Sequence, residues 1–175
     1  NHLGVGVFSK SPYLSYSGAL RFYVNGYRSN EKLLFGGITI SPWKSTKMPF
    51  IKGSITFQDR QPDLFVRNYF SNHYAWSNNF EREKWLTVSG VLGADRYKFE
   101  IGYNVANVVN YIYFDTTGRP AQASNVAVTS AYVQKVFKVR GLYMVGKVLW
   151  QANTNSEVLS LPTLSGFGSI YYEYP

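Results

Sequence analysis

The chain has no cysteine and only two histidines, His2 and His73, among 175 residues. A disulfide framework, a Cys-based zinc site and a thiol nucleophile are therefore excluded at the outset. Charge is sparse too: Asp, Glu, Lys and Arg together make up 16% of residues, and no charged or low-complexity linker divides the chain into domains. No apolar run approaches the roughly 20 residues that a spanning helix needs, and helical spacing of apolar positions is almost nowhere sustained. There is no G-x-S-x-G elbow, no P-loop and no G-x-G-x-x-G, so nucleophilic and nucleotide chemistry have no sequence support. The 10 carboxylates are scattered: Asp59, Asp63, Asp95 and Asp115 fall in turns, Glu81 and Glu83 in a connection, and Glu100 alone lies mid-strand. Paired acids for glycoside chemistry have no evident partners, and His73 lacks a second ligand or a positioned acid. The expectation is a protein that is not an enzyme and carries no cofactor or metal.

What is present is apolar and aromatic: 45% hydrophobic residues, with 15 Tyr, 12 Phe, 4 Trp and 15 Gly. Such a chain cannot stay disordered in water, and its length suits one domain or part of one. Lys and Arg outnumber Asp and Glu by 18 to 10, a net charge of +8. The sequence opens at Asn1 and stops at Pro175 inside an alternating pattern, and is expected to be an internal segment of a longer protein.

Apolar stretches alternate with period 2, the pattern of strands showing one face to an apolar phase and the other to a polar one. Leu20, Phe22 and Val24 oppose Arg21, Tyr23 and Asn25; Gly53, Ile55 and Phe57 oppose Lys52, Ser54, Thr56 and Gln58. Tyr97, Phe99, Ile101 and Tyr103 oppose Lys98, Glu100, Gly102 and Asn104, while Leu142, Met144, Val148 and Trp150 oppose Lys147 and Gln151. Turn signals at Asn25-Gly26, 59–63, 93–96, 115–120 and 153–156 separate about eleven strands. They are expected near 1–8, 16–25, 32–41, 51–58, 64–77, 83–93, 96–104, 108–114, 124–138, 141–152 and 164–174.

Two all-β architectures fit: a soluble barrel or sandwich with its apolar face inside, and a transmembrane β-barrel with that face outside. Rings crowd the expected strand ends, among them Tyr74, Trp76, Phe80, Trp85, Trp150, Tyr171 and Tyr172. That placement favours an interfacial girdle, and so the antiparallel transmembrane barrel or a large part of one. A lumen would then be lined by Arg21, Asn25, Lys52, Gln58, Lys98, Glu100, Asn104, Lys135, Lys147 and Gln151, and a cationic lining would favour anions. Arg119, Arg140, Lys138 and Lys44 fall in or beside turns, in reach of lipid headgroups or anionic lipopolysaccharide. Rings and charges take opposite faces, which argues against stacking on single-stranded nucleic acid.

Two segments carry a resemblance. Residues 71–80 read SNHYAWSNNF after Asn68, Tyr69 and Phe70, and residues 151–172 read QANTNSEVLSLPTLSGFGSIYY; between them lie Tyr113-Phe114-Asp115, Pro120 and Gln122. The chain resembles the putative porin family of Bacteroidota outer membranes, best over about residues 64–174. Trp150 stands where the family usually has Tyr, and Ser77 where an acid is common. The resemblance implies a central-to-late segment of a longer barrel in the bacterial outer membrane, in contact with lipid, lipopolysaccharide and other outer-membrane proteins. It implies passive diffusion of small polar solutes, with a non-conducting scaffold barrel in a larger complex as the alternative. A soluble binding module remains the rival on composition alone. The cluster of Asn72, His73, Trp76, Asn78 and Asn79 is expected to tie a strand end to its turn.

Overall fold

A strand with apolar and polar residues on alternate sides hydrogen-bonds to neighbours patterned the same way, because any slip of one residue would exchange the faces. In the computed structural model, which describes residues 1–43 and 49–174 and so leaves Lys44 outside them, this gives eleven strands and almost no helix. They are β1 (His2–Lys10), β2 (Leu14–Tyr23), β3 (Lys32–Ile40), β4 (Phe50–Arg60), β5 (Asn68–Phe70), β6 (Ala75–Ser77), β7 (Glu83–Ala94), β8 (Phe99–Phe114), β9 (Pro120–Val139), β10 (Leu142–Asn153) and β11 (Leu164–Tyr172). Nine of them form one antiparallel sheet in the order β1-β2-β3-β4-β7-β8-β9-β10-β11, each strand beside its successor in the sheet. The expected barrel closure is not found: among the described residues β1 and β11 are open edges.

Two strand expectations are corrected. The segment 64–77 is not a sheet strand but a one-turn helix, α1 (Leu64–Arg67), followed by the separate β5–β6 hairpin. The strands expected at 96–104 and 108–114 are one continuous strand, β8, because Val105, Ala106 and Asn107, which lie between them, stay paired with Thr129, Val128 and Ala127.

The register is slanted. One hydrogen-bonded row passes Ser9, Tyr16, Ile38, Gly53, Gly90, Tyr103, Ala131, Trp150 and Leu164. It begins beside the turn at 11–13 and finishes at the opposite rim, at the first residue of β11. This stagger is the tilt that a closed sheet needs. One rim, the long-loop rim, carries 24–31, 115–119 and the two longest described connections, 61–82 and 154–163; the other, the short-turn rim, carries the turns 11–13, 95–98 and 140–141 together with the described ends, 41–43 and 49, of the β3–β4 connection.

The two faces differ in crowding although, among the described residues, no second layer is packed on either. The substantial contacts between elements are those of neighbouring strands and of the α1–β5–β6 excursion. On β7 and β10 the apolar set is exposed, with Val88 at 45% and Val148 at 53%, while the alternate set is half-buried or buried, with Tyr143 at 8%. Glycines report the same asymmetry. A Cβ on Gly90, Gly146, Gly166 or Gly168, all on the apolar face, would meet nothing within 4 Å, whereas one on Gly93 would lie 2.7 Å from the Phe50 ring and one on Gly102 2.1 Å from that of Tyr132. Side chains converge on the inside of a curved sheet and splay on its outside. The apolar face is therefore the convex one, and on the concave face the Phe50 and Tyr132 rings lie over glycines.

Candidate pore-lining face

On the concave face the register assembles a polar band. Ser17, Ser54, Ser89, Asn104, Ser130 and Gln151 lie in one row. The hydroxyls of Ser54 and Ser89 are 2.7 Å apart. The next row toward the short-turn rim holds Lys10, Ser15, Thr39, Lys52, Gly102 and Tyr132, and the next Glu100, Gln134 and Lys147. Tyr132 donates its hydroxyl to Glu100 Oε1 at 2.5 Å. A groove of about 530 Å³ runs along this face between Phe8, Phe35, Lys52 and Ser89.

Most of the expected lining residues share this face: Arg21, Lys52, Gln58, Glu100, Asn104, Lys147 and Gln151 by register. Lys98 follows the short helical turn at 95–97 and aims its ammonium group at the Tyr143 ring, 4.6 Å from the centroid. Two residues do not belong. Asn25 lies past the end of β2, in the long-rim connection. Lys135 pairs with Phe99 and Gly146, which puts it on the convex apolar face; its ammonium escapes along that face by donating to the carbonyl of Tyr97 at the short-turn rim. The other charged residues on the convex face, Lys32, Asp59 and Lys84, form a single row at the long-loop rim. Between the rims that face is apolar or small, apart from Asn107, Asn125 and Thr129.

The expected girdle is only partly assembled. Trp150 and Tyr172 are exposed on the convex face near opposite rims. Trp85 instead faces inward, with the Arg60 guanidinium 4.7 Å over its ring, and Tyr171 stacks inside on Tyr143 at 4.8 Å. Tyr74, Trp76 and Phe80 sit in the 61–82 excursion rather than on a sheet strand end. There Trp76 stacks on Tyr69, meets Phe114 edge-on and donates its indole N–H to the Phe65 carbonyl at 2.9 Å. Asn78 donates to the Val66 carbonyl and Asn79 accepts from Arg67, so these asparagines bind local backbone and a neighbouring cation. His73 is exposed in the β5–β6 turn, and among the described residues no cluster of three metal-ligating side chains occurs.

The excursion is fastened to the long-loop rim by charges that the alternation pattern could not reveal. Glu31, 2% exposed, accepts from Arg28 at 2.7 Å and from the Gln61 backbone at 3.0 Å. Glu83, 4% exposed, pairs with Arg60 at 2.7 Å and accepts from the Ile112 backbone at 3.2 Å. Arg82 pairs with Asp59 at 2.8 Å and donates to the Asn30 carbonyl at 2.6 Å, and the Tyr27 hydroxyl donates to the Pro62 carbonyl at 2.6 Å. A carboxylate this buried is tolerable only when paired and fully hydrogen-bonded. A cavity of about 540 Å³ remains between Arg28, Glu31, Arg60, Glu83 and Phe114. Beyond it the 115–119 turn is closed by Asp115. That carboxylate accepts from the Thr117 hydroxyl and from the backbone of Thr117 and Arg119, and the Thr117 hydrogen bond, ahead of the Arg119 backbone, holds it below the usual aspartate range.

A family described as "Putative porin" matches residues 6–175. No curated protein and no solved structure matches the chain.

Proposed function

Because the chain belongs to that porin family, we propose that it forms wall of an outer-membrane β-barrel pore, passing small polar solutes passively along its concave face. One observation carries the reading: the exposed convex face is apolar while the crowded concave face holds Arg21, Lys52, Gln58, Asn104, Lys147 and Gln151. A soluble sheet gains stability by hiding its apolar face. The reverse arrangement suits hydrocarbon outside and water within.

Strand lengths agree with this. β1 to β4, β7, β10 and β11 run 9 to 12 residues, near the 9–11 or so that a tilted strand needs to cross. The contrast between the long 61–82 and 154–163 connections and the turns 11–13, 95–98 and 140–141 supports an orientation in which the long-loop rim faces the cell exterior and the short-turn rim the periplasm. Strand edges left unpaired in hydrocarbon cost several kcal/mol per polar group, so in the membrane β1 and β11 pair with further strands. Solute choice would follow from lumen width and charge. No step of this transport calls for a catalytic residue or a cofactor.

Ion current through the full-length protein reconstituted in planar bilayers tests the proposal. Steady, ohmic steps support it. A folded, membrane-inserted protein without conductance would instead favour the scaffold role, for which the fastened excursion at the long-loop rim is the specific support.

A further inference from the structure

Positive charge on the concave face is not spread evenly between the rims. At the long-loop rim each arginine of the cluster has a carboxylate: Arg28 with Glu31, Arg60 with Glu83, Arg82 with Asp59. Toward the short-turn rim the cations are lysines, and they lie against rings. Lys52 is 4.5 Å from the Phe50 centroid and Lys147 4.3 Å from that of Tyr132. Lys98 and Lys138 converge on Tyr143, the first over its ring at 4.6 Å from the centroid and the second donating to its hydroxyl. Among the described residues none of these four has a carboxylate within 4.0 Å. Glu100, the acid on this part of the face, is occupied by the Tyr132 hydroxyl, and Glu173 lies near Lys138 just past β11.

An aromatic face holds an ammonium group in place but does not cancel its charge. Two like charges on one side chain repel each other, and the arrangement is kept at a further cost. Lys98 holds a left-handed backbone conformation, φ 47°, which a residue with a Cβ adopts rarely and at an energetic penalty. Tyr143 in turn is 8% exposed and locked by stacking at 4.8 Å and 6° on Tyr171. The side chain that gathers the two lysines is thus rigid, and among the described residues neither cation has a carboxylate within 4.0 Å.

We infer that Lys98 and Lys138 at Tyr143, with Lys147 farther along β10 and Lys52 across the same face on β4, form an anion-binding station at the short-turn mouth, taking small phosphate- or carboxylate-bearing solutes. This deepens the pore reading and rests on it. A mobile anion supplies the missing counter-charge, and several lysines in turn let it be handed on rather than trapped. The paired arginines at the other rim offer no such vacancy in charge, and Arg21, which has no carboxylate within 4.0 Å among the described residues, stands there singly rather than in a cluster.

The test uses the full-length protein in planar bilayers, reading reversal potential across a KCl gradient and block of chloride current by inorganic phosphate added to either side. Chloride is expected to be preferred over potassium severalfold, with phosphate blocking at lower concentration from one side than from the other. K98Q/K138Q should at least halve the preference and remove the block. K98R/K138R, which keeps the charge, should retain both, so that a folding defect is not mistaken for a lost site. K135Q on the convex face should change neither. Open channels that are unselective or cation-preferring, or a K135Q effect as large as that of K98Q/K138Q, would overturn the station while leaving the pore. Absence of any current in membrane-inserted protein would overturn the pore reading and the station with it.

Discussion

Val88 and Thr87 are neighbours on β7 that point to opposite sides of the sheet, and a lysine at each separates hydrocarbon from water. Val88 sits midway along the strand, in a row with Val7, Ile55 and Val105, 45% exposed on the convex face. A lysine there faces lipid near the bilayer midplane, at a cost of about 2–4 kcal/mol, so the folded-to-unfolded ratio falls by roughly two orders of magnitude. Thr87 lies between Thr56 and Ala106 on the concave face, and two small neighbours leave a lysine room to reach the wet interior, so Thr87→Lys should cost under about 1 kcal/mol. Equilibrium urea unfolding of the full-length protein in phospholipid vesicles, followed by tryptophan fluorescence, measures both. If the sheet instead hid its concave face as a dry core, the order would invert: Val88→Lys would sit in water at little cost, and Thr87→Lys would bury a charge. That inversion, or equal effects, refutes the assignment of faces.

Gly102→Ala drives a Cβ into the Tyr132 ring at 2.1 Å, displacing it from Glu100, and should destabilise by about 1–3 kcal/mol; Gly146→Ala, with nothing within 4 Å, should be neutral within about 0.5 kcal/mol, both read in the same unfolding assay. Glu83→Ala removes the partner of Arg60 and the acceptor of the Ile112 amide. With Arg60 40% exposed the loss is reduced by water to about 1–3 kcal/mol, and limited proteolysis should find the 61–82 connection cut faster while the sheet stays intact. Asp115 has its folded pKa lowered chiefly by the Thr117 side chain; its contribution is therefore present above the unfolded value of 3.8 and lost as pH falls through the depressed folded value. Amide exchange at Thr117 and Arg119 should accordingly accelerate only in acid, and Asp115→Ala should show the fast exchange at every pH.

Alternation made the sheet legible because a period of 2 survives any ambiguity about strand ends: residues two apart on β4, β7 and β10 keep their face wherever the strand begins. It failed where local pattern has no single parity. Around Lys135 the sequence runs Val133, Gln134, Lys135, Val136, Phe137, Lys138, Val139, with apolar residues on both parities, and only pairing with Phe99 and Gly146 settles that Lys135 faces outward. Asn25 extends the right parity two residues too far, past the end of β2 at Tyr23. The segment 64–77, expected as a strand, leaves the sheet because its rings satisfy one another, as Tyr69 and Trp76 do by stacking. Glu83 with Arg60 and Glu31 with the Gln61 backbone join residues far apart in sequence, and such contacts have no periodic signature. The convergence of Lys98 and Lys138 on Tyr143 likewise depends on the register of three strands.

The orientation of the faces can be read directly by placing nitroxide labels one at a time at Leu86, Thr87, Val88 and Ser89 of the full-length protein in vesicles and comparing relaxation by oxygen with relaxation by a water-soluble nickel chelate. Oxygen should dominate at Leu86 and Val88 and the chelate at Thr87 and Ser89. The opposite alternation, or chelate access at all four, would contradict a lipid-facing convex surface.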